Sequence, residues 1–280
     1  MRSVARLPLR LLHAAGAALG WLVYVASPTY RGHMRENLVQ ADLADPRVRR
    51  EAIASAGRMF AEMPAIWLRP RDQTLRWVKR VEGEHLIEEA RTRGFGIVFM
   101  TPHQGCFEIV AQYIAERVPI TVLYRRPKLG FLQPLIEEGR AKHNVRLAAA
   151  DRAGVKELLA ALRRRESVGM LPDQAPGEGE GEWTDFFGRP AYTMTLASKL
   201  AAREHTATIL AFGERLPKGE GYVVHFRPLA PALSGENEIR RLNRGLESLI
   251  REFPGQYLWG YNRYKAPRGA KPRPAQDATR

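Results

Sequence analysis

A histidine and a glutamate lie five positions apart in the stretch GIVFMTPHQGCFE, which covers residues 96–108. Five residues typical of a buried strand run into Pro102, His103 and Gly105, so we predict that His103 lies on a strand-to-helix turn. Such a turn can bend His103 back over the first helical turn. Glu108 could then accept a hydrogen bond from one ring nitrogen and leave the other free as a base. The motif supplies no serine nucleophile, so the pair would suit deprotonation of a hydroxyl on a bound substrate, as in group transfer.

Three other interpretations of this stretch remain open on the residues alone. His103 could simply hold the turn together. A metal site is a second interpretation, but no other histidine stands three or four positions away, and Cys106 with Glu108 would be an odd ligand set. Cys106 could also be an acyl-accepting thiol that His103 activates, although a lone cysteine beside a strand end is more often a small buried residue. It is the only cysteine, so the chain has no intramolecular disulfide, which suits a reducing, cytoplasmic setting.

Short apolar segments alternate with helical segments along most of the chain. This alternation predicts an α/β fold, a single domain with a mixed, largely parallel central sheet flanked by helices. In such sheets functional groups gather at the carboxyl ends of the strands, where His103 is expected. The predicted strands cover residues 97–100, 120–124, 145–149, 167–171, 208–212 and 222–227. The predicted helices cover residues 46–67, 107–117, 129–143, 155–165, 194–204 and 238–252.

The N-terminus carries an apolar run, residues 11–26, behind Arg2, Arg6 and Arg10. A helix of that length spans roughly 24 Å, which is short of the ~30 Å hydrocarbon core of a bilayer. A cleaved signal peptide and a plain core helix are alternatives. We predict a membrane anchor over residues 1–30, either a short span or a helix lying in the interface. The folded domain, residues 31–265, would then lie on the cytoplasmic face, followed by a basic, proline-rich and disordered tail, residues 266–280.

The charge balance is strongly basic, since 44 Lys+Arg face 30 Asp+Glu and leave a net charge of +14. A surplus of this size predicts an anionic partner such as nucleic acid, an acidic protein or a membrane surface. A nucleic-acid-binding protein is the remote alternative. The sequence contains no recognisable nucleic-acid recognition motif, and this interpretation leaves the apolar N-terminus unexplained, so no nucleic-acid partner is expected.

Beyond this first motif, the chain resembles a known family over most of its length. TPHQGCFE resembles the H-x4-D/E motif of the glycerolipid acyltransferase superfamily, in the form used by the lipid A biosynthesis (late, lauroyl/myristoyl) acyltransferases. One departure is Gly-Cys-Phe where family members commonly carry Gly-Asn-Trp. Further blocks resemble the family in the same order: RENLVQADL, VEGEHLIEEARTRGFGIVFM, VLYRRPKLGFLQPLIEEGR, GMLPDQAPGEGEGEWTDFFGRPAYT and GQYLWGYNRYK.

The resemblance implies a membrane-bound O-acyltransferase with no metal and no organic cofactor. The acyl donor would be a thioester on acyl carrier protein, and the acceptor a hydroxyl of a lipid A precursor at the inner (cytoplasmic) membrane. His103 would be the general base and Glu108 would orient it, without an acyl-enzyme. The same chemistry with acyl-CoA as donor, or on a lysophospholipid, ornithine lipid or other glycolipid, remains the alternative.

The later blocks imply residues that bind substrate. Arg140 would hold a phosphate or the developing oxyanion. Asp173 and Gln174 match the family's Asp-Gln pair, although Asp173 could equally be a loop carboxylate paired with an arginine. Phe186 and Phe187 end the segment DQAPGEGEGEWTDFFG, which we predict to be a long mobile loop over the acyl chain or a plain surface excursion.

Basic residues in two segments could bind acyl carrier protein, which is acidic, or anionic lipid phosphate. Arg125, Arg126 and Lys128 follow a predicted strand, and Arg126 is a candidate substrate-binding residue. The run at residues 163–165 is equally a solvated helix end, where arginine also favours the helix dipole.

Overall fold

The computed structural model of the chain describes residues 5–127, 130, 133–177 and 179–274. The α-helices are α1 (Leu9–Ala26), α2 (Pro28–Gln40), α3 (Pro46–Leu68), α4 (Arg71–Leu75), α5 (His85–Thr92), α6 (Phe107–Ile114), α7 (Gln133–Arg140), α8 (Arg152–Arg163), α9 (Thr195–Ala201) and α10 (Glu238–Glu252). The strands are β1 (Val78–Glu82), β2 (Gly96–Met100), β3 (Ile120–Tyr124), β4 (Val145–Ala149), β5 (Ser167–Met170), β6 (Gly181–Phe186), β7 (Arg189–Met194), β8 (Thr206–Arg215) and β9 (Tyr222–Pro228).

Seven of these strands form one sheet in the order β1-β9-β8-β2-β5-β3-β4. All neighbours are parallel except β8 and β9, which are antiparallel. The remaining two strands, β6 and β7, pair with each other as an antiparallel hairpin. The predicted α/β domain with a mixed, largely parallel sheet is therefore confirmed.

The central strand β2 is buried on both faces and divides the core into two layers. Ile97 and Phe99 pack into one apolar cluster with Ile109 and Ile114 of α6. Val98 and Met100 alternate to the opposite face, where they join a second cluster that contains residues of α8 and α10. Successive side chains of a strand point to opposite faces, so an uninterrupted apolar run is what a strand covered on both sides requires.

The six predicted strands are all present, and the helix at residues 238–252 has the predicted bounds. The predicted helix at residues 129–143 is observed as α7, and its predicted start lies outside the described residues. Sequence reasoning missed α2, α4 and α5 and the strands β1, β6 and β7. The segment predicted as a long mobile loop contains β6 and the turn that joins it to β7, so that prediction is wrong for residues 181–188.

The register of β2 and β5 fixes where the loops after them begin. Met100 pairs with Met170, so the two strands end level with each other. His103 and Asp173 each lie three residues beyond this pair. Because the strands are parallel and adjacent, equal offsets bring these two side chains to the same point of the carboxyl edge of the sheet.

Helix α1 packs along α3 with close contact between the two backbones. A Cβ atom added to Gly20 would lie 2.1 Å from the carbonyl oxygen of Ile53, and one added to Gly57 would lie 1.9 Å from that of Gly16. Glycine is therefore required at this contact. The opposite face of α1 is apolar and exposed, and includes Leu11, Leu19, Trp21, Leu22 and Val25. Among the described residues, α1 is the one helix with the length and composition to cross a membrane.

Candidate active site

His103 is held by a carboxylate from the neighbouring strand's loop. Its Nδ1 lies 2.8 Å from Oδ1 of Asp173, and its backbone N–H donates to Oδ2 of the same carboxylate at 3.0 Å. Asp173 is 1% exposed, whereas 21% of the His103 side chain is exposed. Burial alone would raise the pKa of Asp173, but the charge of His103 and the hydrogen bonds from it lower that pKa overall, with a smaller contribution from Arg263. An ionised Asp173 fixes the proton on Nδ1 and leaves Nε2 as a base.

Glu108 does not form the predicted hydrogen bond with His103. It lies in the first turn of α6, and both its oxygens accept from Arg140: Nε donates to Oε1 at 2.9 Å and to Oε2 at 3.2 Å, and Nη2 also donates to Oε1. The Arg140 guanidinium also lies 5.4 Å from the centre of the Trp67 ring. The partner of His103 is thus Asp173, and the catalytic role of Glu108 stays a prediction.

The turn that carries His103, residues 101–106, is fixed on both sides; we name it the histidine turn. Gly105 has a positive φ of 54°, and a Cβ atom there would lie 2.0 Å from the carbonyl oxygen of Gly213 in β8. The N–H of Cys106 donates to that same oxygen at 2.7 Å. On the other side, the N–H of Leu258 donates to the His103 carbonyl at 3.0 Å. Hydrogen bonds donated to the sheet and received from the C-terminal segment therefore fix the backbone that carries the imidazole.

Two cavities meet beside His103. The polar cavity is lined by His103, Tyr124, Arg125 and Gln174, among others. The apolar cavity extends under the sheet edge to residues that include Ile114, Ile120, Val145 and Leu147. Four residues line both cavities: Phe107, Leu123, Arg140 and Leu171. The edge of the Phe107 ring also packs against the imidazole, with 5.5 Å between ring centres. His103 thus lies where a cavity with polar groups in a mixed lining adjoins an apolar one.

The other predicted substrate-binding residues divide between this site and the core. Gln174 and Arg140 line the polar cavity. Arg126 is not among the lining residues; 62% of its side chain is exposed, and a guanidinium nitrogen lies 3.7 Å from Asp151. Its neighbour Arg125 lines the cavity instead. Phe186 and Phe187 are 1% and 6% exposed and pack in the core rather than along either cavity. Lys128 lies outside the described residues.

Sequence reasoning missed the pairing of Asp173 with His103. The missing information was the order of the strands, because β5 lies beside β2 although β3 and β4 intervene in the sequence. The equal three-residue offset from two apolar strands was the one available indication.

Cys106 is unsuited to nucleophilic chemistry. It is 2% exposed, and burial raises the pKa of its thiol well above the ordinary value. A reactive cysteine needs a thiolate that is accessible to its substrate. Within the described ranges, no three His, Cys, Asp or Glu side chains are grouped closely enough to hold a metal ion.

Comparison with known proteins gives the same family across the chain. The family model for bacterial lipid A biosynthesis acyltransferases matches residues 1–266. The lipid A biosynthesis lauroyltransferase of Escherichia coli (strain K12) is 25% identical over 274 residues, which covers 94% of this chain and 88% of the relative. A lipid A biosynthesis acyltransferase of Haemophilus influenzae is 27% identical over 281 residues, 94% of this chain and 87% of the relative. The lipid A biosynthesis myristoyltransferase of E. coli (strain K12) is 23% identical over 236 residues, 80% and 73% of the two chains.

The family match covers the histidine turn, the sheet and the C-terminal segment that bonds to the turn, and the comparisons confirm the resemblance drawn from the motifs. The chain therefore belongs to the bacterial lipid A biosynthesis acyltransferase family, and it is an enzyme of the acyltransferase type.

Proposed function

We propose that this enzyme is a membrane-associated O-acyltransferase that moves a fatty acyl chain from the thioester of acyl carrier protein to a hydroxyl of a lipid A precursor. The observation that carries this proposal is the position of His103, whose Nδ1 is bonded to Asp173 beside adjoining polar and apolar cavities. A polar acceptor and an acyl chain could thus meet at one base.

The proposed reaction is a direct transfer with His103 as general base. The acceptor hydroxyl loses its proton to Nε2 as its oxygen attacks the thioester carbonyl carbon. The tetrahedral intermediate then collapses, the carbon–sulfur bond breaks, and the imidazolium returns its proton to the leaving thiolate. Asp173 stabilises the imidazolium between these two steps. The buried thiol of Cys106 supports a route without an acyl-enzyme, so Cys106→Ala should retain activity within a few-fold.

Arg140 and Glu108 would act as a unit in this proposal. Glu108 holds Nε and Nη2 of Arg140, while Trp67 supports the face of the guanidinium. The charge of Arg140 is thereby fixed at the boundary of the two cavities. From there it can stabilise the developing oxyanion or bind a phosphate of the acceptor. Gln174 and Arg125 add polar groups for the acceptor.

The apolar cavity would hold the acyl chain. Its walls run from Leu123 and Leu171, at the carboxyl edge near His103, to Ile120 and Val145, the first residues of their strands. Three residues of strand correspond to about 10 Å, so the proposal places the distal part of an extended acyl chain along this wall. Apolar walls favour transfer of that chain from water by about 25 cal/mol per Å² buried.

The exposed apolar face of α1 would bind the enzyme to the inner membrane. One side of α1 is fixed to α3 by glycine contacts and by His13, which lies 2.9 Å from the buried Glu62. A helix held in this way suits the interface with its free face in the acyl layer, rather than an independent span. Arg10 and Arg31 lie near its two ends, where cations meet anionic headgroups. The net charge of +14 also suits acidic acyl carrier protein.

The test is transfer with purified protein, acyl-(acyl carrier protein) and a lipid A precursor that retains free hydroxyls, followed by mass spectrometry. We expect the product to be heavier than the precursor by one acyl group. In His103→Ala the rate of its formation should fall about 10²–10⁴-fold. His85→Ala, which removes an exposed histidine at the start of α5, is the matched control and should keep full activity.

Parallel reactions with acyl-CoA and with a lysophospholipid, an ornithine lipid precursor or another glycolipid test the alternatives. Acylation of one of these acceptors, with none of the lipid A precursor, would change the proposed substrate. Retained activity in His103→Ala would overturn the general-base mechanism. Salt-dependent retention on DNA without transfer to any lipid would overturn the proposal altogether.

A further inference from the structure

A buried network of polar and charged side chains connects α1 with the last residue of β8 and the first residue of β9. Glu62 of α3 accepts hydrogen bonds from Nε and Nη2 of Arg215 at 2.9 and 2.6 Å, and from the hydroxyl of Tyr222 at 3.0 Å. Nε2 of His13 in α1 lies 2.9 Å from the same carboxylate. These four residues are at most 5% exposed.

Arg215 extends this network to the histidine turn. Its Nη2 donates to the carbonyl oxygen of Gly105 at 2.9 Å, and its Nη1 donates to Ser55 at 2.8 Å. Gln256 supports the same arrangement, because its side chain bonds both the N–H and the carbonyl of Arg215, at 2.8 and 3.0 Å. The backbone carbonyl of Gln256 in turn accepts from the N–H of Gly105 at 2.9 Å. Both polar groups of Gly105 thus depend on Arg215 and its partner.

This network is more elaborate than core stability requires. Apolar residues of similar volume often replace a buried ion pair without loss of stability. An apolar pair, however, would supply no donor to the Gly105 carbonyl, which lies two residues from His103. A displacement of 1 Å at a reacting group can cost about 10²-fold in rate.

We propose that Arg215, fixed by Glu62, is a positioning residue for the histidine turn, and that His13 makes the packing of α1 part of that positioning. The inference rests on the proposed function for its kinetic readout, but its structural readout does not. The helix that carries the membrane-binding face would then also set the turnover rate at His103.

The first test separates positioning from stability. Arg215→Lys keeps a charge for Glu62 but cannot reach Glu62, Ser55 and Gly105 together. The paired variant Glu62→Leu with Arg215→Met removes both charges and keeps an apolar core. For Arg215→Lys and for the paired variant we expect kcat to fall 10- to 100-fold, while KM stays within about twofold of the wild-type value. Exchange of the Gly105 and Cys106 amide hydrogens should accelerate at least tenfold. The control Arg244→Lys alters an arginine–glutamate pair remote from the turn, Arg244–Glu236, and should change neither quantity.

The second test concerns the connection to α1. His13→Ala removes the one partner of Glu62 that α1 contributes to this network, and it leaves the exposed face of the helix unchanged. We expect unchanged binding to phosphatidylglycerol-containing vesicles, a three- to tenfold fall in kcat on a detergent-solubilised acceptor, and faster amide exchange in the histidine turn.

The outcomes that contradict the inference are distinct from failure of the proposed function. Normal kcat and normal exchange in Arg215→Lys and the paired variant would overturn the role of Arg215. The same result in His13→Ala alone would overturn the connection to α1. If wild-type protein and Arg244→Lys transfer no acyl group, the proposed function fails, and the amide exchange still decides the positioning role.

Discussion

Asp173 contributes two hydrogen bonds with different consequences for His103. The bond to the backbone N–H holds the turn, and the bond to Nδ1 selects the tautomer in which Nε2 is free. A single carboxylate therefore couples the conformation of the turn to its chemistry. An exposed histidine on a loop would sample both tautomers and many orientations.

We predict that Asp173→Asn separates these two roles. The amide oxygen can accept from the backbone N–H, which directs the amide NH₂ at Nδ1 and moves the ring proton to Nε2. The base is then lost although the fold is kept, so kcat should fall roughly 10²–10⁴-fold. Steady-state transfer kinetics measure the change, and near-ultraviolet circular dichroism checks the fold. Glu180→Gln, on an exposed carboxylate of the same loop, is the control. Asp173→Asn retaining a third of wild-type kcat would contradict the tautomer argument.

The β-strands of the site were predictable from sequence because each is a short apolar run, and residues of these strands line part of both cavities. His103 was predictable for the same reason, since a proline and a glycine end its strand at a turn. The partner of His103 was not, because the pairing of β2 with β5 depends on a crossover that no local pattern records. The hairpin of Phe186 and Phe187 was missed because its glycine-rich approach has no apolar alternation, and its aromatic rings are used to fill the core.

In the proposed mode of binding, the depth of the apolar cavity limits the length of the acyl chain. Val145 begins β4 and lines the end of the cavity away from His103. We predict that Val145→Phe makes the enzyme prefer a donor with a shorter acyl chain, because the ring fills the space that the terminal carbons of a longer chain would occupy. Competition between acyl thioesters of different length should show selectivity moving at least about tenfold toward the shorter chain. Unchanged selectivity with unchanged kcat would mean that the chain lies elsewhere.

Helix α1 supplies a second prediction at this scale. Leu22 and Val25 are 64% and 68% exposed on its outer face. Changing both to Gln should weaken binding to anionic vesicles by roughly 1.5–3 kcal/mol per side chain, because the polar side chains lose apolar burial in the acyl layer. Vesicle co-sedimentation measures the effect. Leu233→Gln, at another exposed leucine outside every helix and strand, is the control and should bind as wild type. If the Leu22→Gln, Val25→Gln double variant binds vesicles as tightly as Leu233→Gln, α1 is excluded as the membrane contact.

At the scale of the whole molecule, the buried Glu62 links folding to pH. Burial alone would raise its pKa, but the charge of Arg215 and its hydrogen bonds, with those of His13, lower it from 4.5 to about 2. A lowered pKa means that the native state prefers the ionised carboxylate. Its contribution to the free energy of unfolding is therefore complete above pH 4.5 and is lost as pH falls toward 2.

We predict that this group contributes on the order of 3 kcal/mol of acid-sensitive stability. Urea unfolding at pH values between 6 and 3 measures it. The paired variant Glu62→Leu with Arg215→Met should lose stability less steeply with acid than wild type, because the titrating group is gone. Parallel pH dependences in the two proteins would show that Glu62 is not the group responsible.

The glycine contact between α1 and α3 bears on how a water-soluble form of this enzyme can be prepared. A truncated protein that starts after Ala26 would leave the groove over Gly57 open to solvent. It would also expose the Arg215–Glu62 pair, which α1 keeps buried. Such a protein would be prone to aggregate through the surface that removal of the helix exposes. Replacing outward-facing leucines and valines while retaining the helix is the better route to crystals.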